Sequence, residues 1–398
     1  MNRLKTLLSL VINLCVYAIA NLMPKKQSLW VFGGWFGTRY SDNPKAFFEY
    51  INTEQQHIKP VWICKNHEVI VFLKGSGFHA YHEKSVIGLW YQLRAECVFI
   101  CQSLHDDIYA AAIGKKTKVV NLWHGLPLKK IMYDVFGDRV NSKNIVGKLF
   151  DKLSPYNKHR NDIVIATSEL TQEMFAKAFR IPHNQVLMCG FPRNDIFFEN
   201  LEHKNNPTFN CIYMPTFRGG IGTECDLFEN YGFNISMIEA ELVKHKIQLT
   251  LRMHPVNKPP SQIVEQIKNS SVIKLDNGGD IYESIDQYDC LITDYSSIYF
   301  DFLLSNKPIV FAPFDLVEYK KRERALYFEF EEVTLAPYCS NWEAVISRII
   351  ELKAGKLETE YQEQYKALKL KFHITPDNIS KPFSSQLYQQ LTENKDIT

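Results

Sequence analysis

The 398-residue chain lacks the signatures of several large protein classes. No D-x-D tripeptide occurs anywhere, so a metal clamp built on paired aspartates is not indicated, although dispersed metal ligands stay open. Gly33, Gly34 and Gly37 follow a strand-like run without matching G-x-G-x-x-G, and no nicotinamide or flavin cofactor is implied. The nine cysteines are odd in number and have no paired C-x-x-C framework. Most sit in apolar runs such as VWICK and CVFIC, as reduced, buried thiols do, which argues against a disulfide scaffold or a zinc site. The net charge of +2 supplies no general attraction to nucleic acid. The apolar part of the N-terminal segment, Leu7 to Ala20, falls short of the ~20 residues of a full span. Asn13 interrupts it, and Arg3, Lys5, Lys25 and Lys26 flank it. Residues 1–26 read as a membrane-associating helix lying on the anionic cytoplasmic leaflet, or as an ordinary helix packed on its domain. The absence of a clean small-x-small site argues against a cleaved signal peptide.

What is present is a large apolar fraction, 45%, with 26 Phe and 20 Tyr, enough for two packed domains. From Ser28 onward, strand-like runs alternate with helical ones. Leu29–Phe32, Pro60–Cys64, Cys97–Ile100, Lys118–Leu122, Ile163–Ala166 and Val186–Cys189 read as strands, with helices at Pro44–Ile51, Ser85–Ala95 and Leu170–Phe179 among them. This alternation predicts parallel sheets covered by helices, an α/β fold. The aperiodic polar stretch 200–206 divides the chain into an N-terminal domain, 27–200, and a C-terminal domain, 207–398. Beyond it the rhythm restarts, with strands near Cys211–Met214, Gln248–Met253, Val272–Leu275, Cys290–Ile292 and Ile309–Phe311, then terminal helices. Two such halves predict a cleft at the C-terminal edges of their strands.

Polar and basic groups recur where these strands end. WHGLPLKK carries His124, Lys129 and Lys130; GFPRND carries Arg193; MPTFR carries Arg218; LRMHP carries Arg252 and His254. The stretch ITDYSSIYFDFLLSNKPIVF sets Asp294, Ser296 and Ser297 at a strand–turn–helix junction. Ser296 there reads either as a helix cap or, with Ser297, as part of an anion cradle. Arginines, hydroxyls at a helix start and two histidines suit a diphosphate substrate, the histidines being able to move protons near neutral pH.

These motifs, in this order and together with WVFGGWFGTRYSDN from Trp30, resemble those of the CDP-glycerol glycerophosphotransferase family, which includes teichoic acid primases and polymerases and related capsule enzymes. The resemblance covers about Trp30 to Tyr338. It implies a GT-B fold of two Rossmann-like domains, with a CDP-glycerol donor held mostly by the second and a lipid-linked or polymeric acceptor. It implies His124 as the base for the acceptor hydroxyl and His254 as a contact or acid at the donor diphosphate. Arg218, Arg252, Ser296 and Ser297 would hold phosphate oxygens, and Asp294 would orient the turn or contact the donor. It also implies work at the cytoplasmic face of a bacterial membrane. The tract ERALYFEFEEVTLAPYC departs from the family pattern. A CDP-ribitol transferase, a GT-B glycosyltransferase using a nucleotide sugar, and a non-catalytic assembly scaffold are the alternatives.

Overall fold

The computed structural model describes residues 2–137, 154–199, 207–219, 222–224, 226–254, 257–276, 278–322, 326–374 and 381–393. The expected domain boundary at 200–206 lies outside these residues, as do Pro255 and Cys225. The chain forms two compact units. Met1–His124, Ile131–Asp195 and Pro376–Thr398 make the first; Gly125–Lys130 and Ile196–Thr375 make the second.

The first unit is built on seven strands: β1 Lys26–Phe32, β2 Lys59–Cys64, β3 Ala80–His82, β4 Ala95–Ile100, β5 Lys118–Asn121, β6 Ile163–Ala166 and β7 Val186–Met188. They pair in parallel in the order β3-β2-β1-β4-β5-β6-β7. Apolar runs such as Leu29–Phe32 are buried throughout, as strands covered on both faces must be. Phe32 stacks on Phe99 at 4.6 Å, and Phe47, from the helix Asp42–Glu54, packs edge-on against Phe99 at 5.2 Å. The strand order reverses between β1 and β4, the position where open α/β sheets leave a crevice.

The second unit holds β8 Phe209–Met214, β9 Ile247–Leu251, β10 Ile273–Leu275, β11 Cys290–Thr293 and β12 Ile309–Phe311. These are parallel in the order β10-β9-β8-β11-β12 and reverse between β8 and β11. Trp342, on the helix Trp342–Lys353, centres the core on one face of this sheet. Its ring meets Tyr213 at 4.9 Å and Phe233 at 4.8 Å, and its indole N–H donates to the Leu227 carbonyl at 2.8 Å. A buried aromatic with a polar edge is stabilised when that edge finds a partner, as here.

Three features differ from the sequence expectation. The helix His67–Gly75 and strand β3 were not anticipated; Val71 and Phe72 on that helix are exposed, so its apolar run gives no clean helical stripe. The last helix, Phe383–Glu393, belongs to the first unit and not to the expected 207–398 domain. The Asp195 carboxylate accepts from the backbone N–H of Phe383 (2.6 Å) and Ser384 (3.1 Å), and the Gln390 amide donates to the Met188 carbonyl. The N-terminal helix, Asn2–Leu22, also ends short of the expected residue 26, where β1 already begins. Among the described residues, its window Lys5–Leu22 is long and apolar enough to cross a membrane by length and composition, with mean hydropathy 1.6. One side nevertheless docks on its own unit. Tyr109 donates to the Asn13 side chain, the Asn21 side chain accepts from Lys115 N–H (2.8 Å), and Ala20 is buried.

Candidate active site

The expected motif residues fall just past strand ends in both units, His124 and Arg193 after β5 and β7 of the first sheet, and Arg218, Arg252, His254, Asp294, Ser296 and Ser297 after β8, β9 and β11 of the second. In the first unit, β5 ends at Asn121, and the turn beyond it carries His124. The Asn121 side chain accepts from Trp123 N–H at 2.9 Å, and the Asn43 amide donates to the carbonyls of Leu122 (2.9 Å) and Trp123 (3.1 Å). The half-buried His124 ring lies against Trp123, centroids 4.1 Å apart. Its Nδ1 is 2.8 Å from the Cys101 carbonyl oxygen. A carbonyl only accepts, so Nδ1 carries the hydrogen and Nε2 keeps its lone pair, the tautomer a general base needs. Burial lowers the proton affinity of the ring below the usual histidine range. The Cys101 carbonyl and the Asp42 carboxylate work against that lowering, and the Arg193 guanidinium adds to it.

Arg193 is not presented as a phosphate donor. It is buried, with Nη1 donating to Asp42 Oδ1 (2.8 Å) and to the His124 carbonyl (3.0 Å), while its backbone N–H reaches the Asn43 side chain (3.2 Å). Asp42 also accepts from the Trp35 indole N–H at 3.0 Å. The SDN of the amino-terminal motif carries Asp42 and Asn43, which the motif alone gives no role; both are buried, and both hold the His124 turn. The backbone adds a second sign of function. Trp35, Phe36, Asp42 and Trp123 all adopt positive φ, between 46° and 67°. Side chains rarely accept such geometry, which costs ~1–3 kcal/mol per residue and concentrates at working sites.

In the second unit, Arg218 sits just past β8, and Asp294 just past β11. Arg218 donates to Asp294 Oδ2 (2.7 Å), to both Asp315 oxygens (2.8 Å each) and to the Thr216 carbonyl (2.7 Å). Burial opposes its charge, but the two carboxylates more than offset that and raise its proton affinity further. Asp294, fully buried, also accepts from the backbone N–H of Thr216 and Tyr295 through Oδ1. The Arg218 guanidinium is thus engaged by two carboxylates, which ties the loop after β8 to those after β11 and β12. Tyr295 and Tyr319 stack at 3.7 Å beneath the Arg218 guanidinium, and Lys129 lies 5.0 Å from the Tyr319 ring and 5.5 Å from Phe217. The strand-end motifs do not point to Asp315, Tyr295 or Tyr319; the polar Asp315 after the apolar segment Ile309–Phe314 is the one signal in the sequence.

Arg252 is likewise engaged. Its guanidinium pairs with Asp276 and donates to the carbonyls of Gly278 (3.1 Å) and Gly279 (2.6 Å), which fastens the loop after β10. His254 is half-buried with its ring 5.2 Å from Phe217. Ser296 and Ser297 are half-buried at the turn between β11 and the helix Ile298–Phe302. Capping was expected of Ser296, but the cap position falls on Ser297, whose side chain makes no capping hydrogen bond.

Comparison with known proteins adds to this geometry. The family model described as CDP-Glycerol:Poly(glycerophosphate) glycerophosphotransferase matches residues 15–381. A teichoic acid poly(glycerol phosphate) polymerase from Bacillus spizizenii is 27% identical over 370 residues, covering 88% of this chain and 91% of that protein. A teichoic acid glycerol-phosphate transferase from Staphylococcus aureus is 26% identical over 378 residues, covering 87% and 90%. Among solved structures, the wall teichoic acid polymerase TagF superposes with a TM-score of 0.71 at 22% identity, over 100% of this chain and 98% of that one. The fold is therefore of the GT-B class.

Proposed function

This chain belongs to the CDP-Glycerol:Poly(glycerophosphate) glycerophosphotransferase family, and from that premise we propose that it transfers glycerol phosphate from CDP-glycerol to a hydroxyl of a lipid-linked or polymeric acceptor in teichoic acid-like polymer synthesis. The acceptor oxygen attacks the phosphorus that bears the glycerol, the bond from that phosphorus to the bridging oxygen breaks, and CMP leaves. His124 Nε2 takes the acceptor proton. His254 contacts or protonates the departing phosphate, while Ser296 and Ser297 offer hydroxyls to the diphosphate. Arg218, Arg252 and Asp294 act by fixing the walls of the donor site, and Arg193 by fixing the His124 turn. The observation that carries this reading is the His124 Nδ1 contact to the Cys101 carbonyl, which sets the base-competent tautomer before any substrate arrives.

The test is a donor panel. Purified protein offered CDP-glycerol, CDP-ribitol and common nucleotide sugars should consume CDP-glycerol and release CMP in step with acceptor modification. Consumption of CDP-ribitol or of a nucleotide sugar instead would replace this reading, and consumption of none would favour the scaffold.

The same reading assigns the N-terminal helix to the membrane surface that carries a lipid-linked acceptor. Leu7, Leu8, Val11, Ile12, Ile19 and Leu22 are exposed on it, and the helix Val86–Arg94, which touches it, exposes Val86, Ile87 and Trp90. Neither helix contains an acidic residue, and Lys5 and Arg94 supply cations, a combination suited to an anionic leaflet. The polar contacts through Asn13 and Asn21 hold the helix flat on its unit, which favours lying on the bilayer over crossing it. Deleting residues 1–22 should abolish sedimentation with anionic vesicles while sparing turnover of a soluble acceptor analogue. Undiminished sedimentation would refute this assignment.

A further inference from the structure

We propose that Asp107 is a positioning residue for His124, its carboxylate holding in place the peptide whose carbonyl orients the imidazole; the catalytic consequence rests on His124 being the base. Asp107 closes the short helix Leu104–Asp107 and is 1% exposed. Its Oδ2 accepts from the backbone N–H of Cys101 (2.8 Å) and Gln102 (2.7 Å), and its Oδ1 from the backbone N–H of Phe36 (2.9 Å). The peptide joining Cys101 to Gln102 thus donates its N–H to Asp107, and its carbonyl receives the His124 Nδ1 hydrogen, while the Cys101 N–H holds the preceding peptide to the same carboxylate.

One carboxylate thereby ties together the two loops at the strand-order reversal, the turn after β4 and the GGWFG loop after β1. The second loop is strained, with Trp35 and Phe36 both at positive φ, and needs a strong acceptor to keep it. Gly33 permits the approach, because a Cβ there would stand 2.7 Å from the Asp107 carbonyl oxygen. The Cys101 thiol completes the joint by accepting from Trp35 N–H at 3.3 Å.

Three backbone donors suit an ionised carboxylate and not an acid, whose hydroxyl would point a hydrogen at one of them. Burial nevertheless pushes the Asp107 carboxyl up to about 6; the N–H groups of Gln102, Cys101 and Phe36 pull it down, and Asp106 beside it pushes it up. The other ionisable neighbours are the Cys101 thiol, itself pushed up by burial, and Lys65, whose ammonium donates to the carbonyls of Asp106 (2.6 Å) and Phe36 (3.0 Å). As pH falls through about 6 the joint loosens, and His124, whose proton affinity burial lowers, adds a second protonation to the acid side.

The test uses the full-length protein labelled with ¹⁵N-histidine, the His124 signals being identified by their loss in His124→Asn. In the wild type, neutral His124 should be the Nδ1–H tautomer. In Asp107→Asn it should become a mixture, with kcat lowered about 10- to 100-fold, the effect of a misplaced catalytic group, and the donor KM unchanged. A folded Asp107→Asn that keeps a pure Nδ1–H tautomer overturns the proposal. A tautomer shift with kcat intact supports the link from Asp107 to His124 and removes His124 as the base. The wild type gives a second readout if the variant does not fold. Its acid limb in kcat/KM should reach a slope of two protons; a one-proton limb overturns the pH-sensitive joint.

Discussion

Replacing Arg193 with alanine separates two roles for that residue that the sequence alone could not. The guanidinium and the Asp42 carboxylate are each about 5% exposed, so Arg193→Ala leaves Asp42 charged, buried and without this partner. Breaking a buried pair by removing one side costs ~3–5 kcal/mol, a large share of the ~5–15 kcal/mol that holds a typical domain. The His124 carbonyl loses a donor in the same step, but that loss is not additive with the first because one guanidinium serves both. In a denaturant titration the midpoint of the first unit should fall accordingly, and adding Asp42→Asn should recover part of the loss by removing the stranded charge. The active-site consequence has a definite sign. Arg193 lowers the His124 proton affinity and Asp42 raises it, so Arg193→Ala should move the acid limb of kcat to higher pH, and Asp42→Asn to lower pH. A positioning role predicts a fall in kcat with the donor KM unchanged. A rise in donor KM alone, with kcat and stability intact, would refute this reasoning and restore Arg193 as a phosphate ligand.

Other perturbations test the second unit and the buried acid. Arg218→Ala strands Asp294, 1% exposed, and should cost ~3–5 kcal/mol in a denaturation series, with Arg218→Lys failing to rescue because an ammonium cannot bridge Asp294 and both Asp315 oxygens. Ser297→Ala should change stability by less than about 0.5 kcal/mol, since its hydroxyl makes no capping bond, yet raise the donor KM in steady-state kinetics; a stability loss of ~1 kcal/mol would instead show that Ser297 acts as a cap. The Asp107 carboxyl, at about 6 in the fold against 3.8 ordinarily, binds its proton more tightly folded than unfolded. Because relief of the buried charge outweighs the acceptor that the joint loses on protonation, the stability contribution of Asp107 is fullest below about pH 4 and lost as pH rises through about 6, on the order of 3 kcal/mol across that window, even though the site geometry needs the ionised form. Asp107→Asn should flatten the pH dependence of Tm there; an unchanged slope would count against the burial argument.

The layered α/β plan was legible because its signal is local. Buried parallel strands such as Leu29–Phe32 and Cys290–Ile292 are apolar throughout and bounded by turn residues, and helices such as Trp342–Lys353 carry a clear apolar face. The last helix was misassigned because its partners, Asp195 and Met188, lie some 190 residues earlier, and no periodicity reports a return of that length. At the candidate site the motifs pointed to the right loops but not to what their side chains do there. The sequence shows that Arg193, Arg218 and Arg252 are cations beside strand ends. It does not show that Asp42, the Asp294–Asp315 pair and Asp276 already occupy them, because those carboxylates come from other loops. Asp107 was invisible for the same reason, its bonds being to backbone N–H groups that every residue carries.

The central claim, that His124 is the base in glycerol phosphate transfer, is tested most directly by single-turnover CMP release from CDP-glycerol with acceptor present. A folded His124→Ala protein should bind the donor as the wild type does and release CMP about 10²- to 10⁴-fold more slowly, the usual contribution of a general base. CMP release at the wild-type rate would contradict the account.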